Sequence, residues 1–124
     1  MQTTSRIFAG VDPTAGKHPF TCTAINQDCR LVAMESGDTE DVLAFLVDQQ
    51  ATVVAVNAPP RLSLGLVRKT LERRNLAAGQ LRGSDMREAE WELRERGIYI
   101  SPTPSRLEVC PAWMQMGFDL YRRL

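Results

Sequence analysis

The stretch Ala51-Thr52-Val53-Val54-Ala55-Val56-Asn57 holds four consecutive apolar residues without polar alternation, ends on an amide, and is followed at once by Pro59 and Pro60. Such a run reads as a strand buried on both faces, the habit of strands in parallel sheets. Its natural neighbour is the apolar segment Ile7-Phe8-Ala9-Gly10-Val11, which stops at Asp12 and Pro13, where proline removes a ladder donor. Between the two, Phe20 to Ile25 and Leu31 to Met34 flank the turn-forming residues Asn26, Gln27, Asp28 and Cys29, so an antiparallel hairpin is expected, with Cys22 facing the neighbourhood of Ala33. Asp38 or Thr39 can cap a helix in which Val42, Phe45 and Leu46 recur at helical spacing. Three antiparallel strands, a helix and a crossover to a fourth strand parallel to the first make an α/β layer.

The second half reads as helical. Leu64, Val67 and Leu71 form an apolar stripe beside Arg68, Lys69, Arg73 and Arg74, and a loop through Gly79 and Gly83 precedes a helix starting at Ser84 or Asp85. Asp85 and Glu88 have capping-box spacing; Met86, Ala89 and Leu93 form the expected buried stripe, and Glu90 with Arg94 belongs to the charged exterior. Gly97 closes that helix, Ile98 to Ile100 reads as a short strand, and Trp113, Met116 and Leu120 mark a terminal helix beyond the Pro102 and Pro104 loop.

With 124 residues and 44% hydrophobic side chains, the chain is read as one compact domain over 1–124 that builds a core without a disulfide or metal staple. No apolar run approaches the roughly 20 residues that span a bilayer, and Met1 to Ser5 is polar, so no membrane and a cytoplasmic location are expected. Three cysteines and one histidine follow no metal or redox spacing, which predicts reduced thiols. The zero net charge divides unevenly: residues 1–60 carry three basic and seven acidic groups, net −4, and residues 61–124 carry twelve and eight, net +4. The basic cluster at Arg68 suits either phosphate contact or a solvated helix face.

The segment Gly10 to Lys17 imitates a phosphate loop and fails: five residues separate Gly10 from Gly16, His18 replaces the required hydroxyl, and Asp12 would repel a phosphate. Parallel pairing of strands 7–11 and 51–56 instead brings Asp12 and Asn57 together at neighbouring C-terminal ends, about 4.8 Å apart in the hydrogen-bonding direction. Two such side-chain oxygens begin a hard-cation site of the kind that takes Mg²⁺ with water and substrate phosphate. Asp12 equally suits a bond to the Thr14 or Ala15 N–H of its own turn, and Asn57 a bond within the turn before Pro59.

Gly10-Val11-Asp12, Val54-Ala55-Val56-Asn57-Ala58-Pro59, Arg87-Glu88 leading to Arg96-Gly97-Ile98, the Pro102 to Pro104 turn, and Met116-Gly117-Phe118-Asp119-Leu120-Tyr121 resemble, in that order, the domain of unknown function 429 family of predicted RNase H-like nucleases. The resemblance runs from about residue 7 to 124. It implies an RNase H-like mixed sheet, C-terminally incomplete for want of a last strand and helix, and a metal-dependent nuclease using Mg²⁺ or Mn²⁺. Asp12 would be the principal catalytic and metal ligand and Asn57 a weaker second ligand where relatives look to carry aspartate; by their charge, Arg68 and Arg87 are the expected contacts to the phosphates of a nucleic-acid substrate. The missing carboxylate also fits a non-catalytic binding or homo-oligomeric assembly module that keeps the fold. A nucleotide phosphotransferase on the same fold would need two such domains.

Overall fold

The computed structural model describes residues 5–65 and 86–124. The chain falls into two compact units, Met1–Pro60 with Pro111–Leu124, and Arg61–Cys110.

The first unit is built on β1 (Ile7–Pro13), β2 (Phe20–Asn26), β3 (Leu31–Gly37) and β4 (Val53–Val56), arranged in the order β3-β2-β1-β4. β1 pairs antiparallel with β2 and parallel with β4, and β2 pairs antiparallel with β3. This is the mixed α/β sheet the apolar runs predict. Helix α1 (Thr39–Asp48) makes the crossover to β4. Its start is specified locally: Asp38 Oδ1 accepts from the Asp41 N–H at 3.0 Å, and Asp41 Oδ2 accepts from the Asp38 N–H at 2.9 Å. This reciprocal capping satisfies two of the helix's free donors. Gly37 must lack a side chain, because a Cβ there would overlap the Asp41 carboxylate.

Alternation along the strands places Ala9, Val11, Phe20, Cys22 and Ala24 on one face, where they form a core with Val42, Phe45 and Leu46 of α1. Leu120 joins this core from the terminal helix α3 (Ala112–Arg123). Gly117 of α3 lies so near Ala58, just past β4, that any Cβ would collide with the Ala58 methyl. An ion pair from Arg123 to Glu40, 2.7 Å, ties the end of α3 to the first turn of α1.

The second unit holds α2 (Glu88–Glu95) and a short 3-10 turn at Leu107–Val109. α2 ends in a Schellman arrangement, with Gly97 at φ +74, its N–H on the Arg94 carbonyl and the Ile98 N–H on the Leu93 carbonyl. Glu90 is 4% exposed and accepts from the Thr103 N–H, the Thr103 hydroxyl and the Arg87 N–H.

Several expectations are corrected. β1 runs on through Pro13, which pairs with Phe20 at the strand end. β4 is not buried on both faces: among the described residues it is an edge strand, with Val53 52% exposed. Cys22 lies opposite Glu35, and Ala33 opposite Ala24, because a bulge between Ala24 and Ile25 shifts the hairpin. α2 begins at Glu88, and Glu90 belongs to its buried side while Ala89 is exposed, because Thr103 supplies the donors a buried carboxylate needs. Residues 98–100 form no strand. The helix expected through Val67 and Leu71 with Arg68, Lys69, Arg73 and Arg74, the Gly79 and Gly83 loop, and the Ser84 or Asp85 cap lie outside the described residues. No helix among the described residues is long and apolar enough to cross a membrane.

Candidate functional site

Parallel register sets Gly10 beside Ala55 and Val11 beside Val56, and the Asn57 N–H continues the ladder by donating to the Val11 carbonyl at 2.9 Å. The next side chains therefore meet at the rim: Asn57 Nδ2 donates to Asp12 Oδ1 at 3.1 Å. Both residues are exposed. The turn after β1 does not hold Asp12, since the Thr14 N–H donates to the Pro19 carbonyl at 2.7 Å and the Thr14 hydroxyl to the His18 carbonyl.

The rim borders an open groove of about 580 Å³ lined by Gly10, Asp12, Thr21, Thr23, Ala55 and Asn57, together with Val11 and Val56. The first six project to the side of the sheet opposite the core, as alternation requires. Here β1 lies between an antiparallel and a parallel neighbour, and the chain has crossed from one side of it to the other. Crevices at the C-terminal ends of strands where the connection reverses are the usual ligand sites of open α/β sheets.

One carboxylate and one carboxamide are a small donor set. Among the described residues no group of three or more His, Cys, Asp or Glu converges. Mg²⁺ is commonly held by one or two carboxylates completed by water and substrate phosphate, so the pair fits a site that a phosphate-bearing ligand completes. Asn57 would contribute by turning its amide oxygen, in place of its N–H, toward the ion.

Arg87 belongs to the second unit, where its Nε pairs with Glu90 Oε1 at 3.2 Å, and Arg68 lies outside the described residues. The sequence reading passed over Gly10, Thr21, Thr23 and Ala55. Their signal was the alternation itself for three of them: Gly10, Thr21 and Thr23 fall between the core-facing Ala9, Val11, Phe20, Cys22 and Ala24, whereas nothing in the apolar run of β4 singles out Ala55.

None of the three cysteines is in a disulfide. Burial pushes the Cys22 thiol up to about 11, with help from the negative charges of Glu35 and Asp41, and burial also raises Cys110. Cys29 is exposed in the β2–β3 turn.

No protein-family model, curated protein or solved structure matches this chain.

Proposed function

We propose that the Asp12–Asn57 rim is a phosphodiester-hydrolysing site acting on nucleic acid with Mg²⁺ or Mn²⁺, in a domain of RNase H-like design. The observation that carries this reading is the 3.1 Å contact between an acid and an amide at adjacent parallel strand ends, opening on a groove outside the core. Asp12 would be the anionic ligand and Asn57 the neutral one. When bound, the ion would polarise the phosphate and lower the pKa of an attacking water. Before an ion binds, Asn57 holds the carboxylate through its Nδ2–H, and the open groove admits a long substrate without enclosing it.

The test is cleavage of labelled RNA and DNA by the full chain in Mg²⁺ or Mn²⁺. Cleavage is expected to fall at least about 100-fold in Asp12→Ala, the scale of losing one electrostatic group of a catalytic centre. Equal cleavage by both proteins would reject the rim as the site.

A second reading is supported by the same hydrogen bond. Asn57 already satisfies one oxygen of Asp12 without an ion, as suits a module that binds its partner and does no chemistry. That reading expects binding without turnover under every metal condition.

A further inference from the structure

The register of the first unit sorts the open face of the sheet into three rows. Ile25, Phe8 and Val53 lie side by side across β2, β1 and β4; Thr23, Gly10 and Ala55 come next; Thr21, Asp12 and Asn57 form the rim. Successive rows are roughly 6.6 Å apart along the strands, and each row of three strands spans roughly 10 Å. The surface thus passes from apolar and aromatic, through a trough of small side chains, to a polar edge with one carboxylate.

Gly10 at the centre of the trough is not explained by folding. Its φ lies outside the positive region, where Gly65 and Gly97 are found, and a Cβ built on it meets nothing within 4 Å. Neither a turn nor close packing asks for glycine, and an interior strand position without a side chain weakens a sheet. What its missing side chain does provide is clearance in the middle of the groove. Thr21 and Thr23 both line the groove, and the Thr21 hydroxyl shares a hydrogen bond of 3.3 Å with Ser36.

We propose that this face cradles single-stranded nucleic acid: a base lies over Gly10 against Phe8, Ile25 and Val53, and its phosphodiester reaches the Asp12–Asn57 rim. The inference rests on reading that rim as the place of phosphodiester hydrolysis, and it adds which form of the substrate is taken. An open trough suits a chain laid across it, because a pocket for a compact small molecule encloses most of its ligand. A nucleotide matches the order of the rows: a flat face for the apolar wall, base-edge donors and acceptors for Thr23, and a phosphodiester that meets the carboxylate at the edge through the cation Asp12 would hold. In a duplex the base faces are hidden in the stack; only an unpaired strand can offer one to Phe8.

Fluorescence anisotropy with labelled single-stranded RNA and DNA, and with blunt duplexes of the same composition, tests this in Ca²⁺, a hard cation for the same oxygen ligands, with the strands checked intact on a gel afterwards. Single strands should bind at least about tenfold tighter than duplex, and Phe8→Leu, which keeps apolar bulk and removes the ring, should weaken them about tenfold, within the range of one lost stacking contact. Gly10→Ala and Gly10→Val should weaken single-strand binding progressively while the melting temperature holds or rises, which separates a filled trough from a damaged sheet. Equal affinity for duplex and single strand, no binding of either, or unchanged binding by Gly10→Val would overturn the cradle. Cleavage in Mg²⁺ that depends on Asp12 would then stand alone. Conversely, Gly10-sensitive binding without cleavage would keep the cradle and discard hydrolysis.

Discussion

At the scale of single residues, the Asn57 amide governs what Asp12 can do. An aspartate in its place would set two carboxylates face to face, cost about 1 kcal/mol if the charges stand roughly 4 Å apart in water, and raise the pKa of one of them. In chelator, Asn57→Asp should therefore melt about 4 °C below wild type, the shift that energy produces at this chain length. Adding Mg²⁺ should reverse the loss and leave wild type almost unmoved. A variant whose melting temperature ignores Mg²⁺ would show that the rim does not gather a cation. Cys22 offers a pH test. Its thiol rises to about 11 in the folded protein from an ordinary value of 9.0, through burial first and then Glu35 and Asp41. The folded state holds the proton more tightly, so this stability is present below about pH 9 and is lost as pH rises toward about 11. Denaturant midpoints measured from pH 8 to 11 should fall more steeply for wild type than for Cys22→Ala. Parallel slopes would show that another group titrates.

Among elements, the seating of α3 against the segment after β4 matters most for the rim, since Ala58 directly follows Asn57. Alanine is ordinarily better than glycine inside a helix by roughly 0.5–1 kcal/mol. At Gly117 the sign should reverse, because the added methyl meets the Ala58 Cβ, which is fixed to the backbone and cannot swing away. Overpacking of this kind costs about 1–3 kcal/mol. Gly117→Ala should lower the urea midpoint, and Ala58→Gly in the same chain should recover a good part of it, since the two methyls compete for one space. Additive losses in the double variant would mean that helix and loop stand apart. The capping of α1 is a contrasting case: Asp38 and Asp41 interact within four positions of chain, and the sequence already narrows the cap to Asp38 or Thr39, of which the structure selects Asp38.

Across the whole molecule, the division between what was readable and what was not follows the range of the interactions. The four strands, the hairpin, α1 and the parallel return to β4 follow from apolar runs and turn residues, which act over a few positions, and the Asp12–Asn57 meeting follows from that order once β1 and β4 are neighbours. Glu90 shows the opposite case. Its spacing from Arg94 suggests a solvated pair, yet it is buried on Thr103, thirteen positions away, a partner no local pattern names. The open face of β4 was misjudged for a similar reason: Val53 to Val56 is apolar throughout, and only the sheet order makes it an edge. The amino-acid sequence by itself determined the strand order along the chain, the helix cap and the pairing of an acid with an amide, because periodicity and capping are local chemistry. Tertiary structure alone decided that Asn57 donates to Asp12, that Glu90 is internal, and that Ile25, Phe8 and Val53 stand in one row above Gly10. Those facts depend on register between distant segments, where a shift of one residue sends every side chain to the other face.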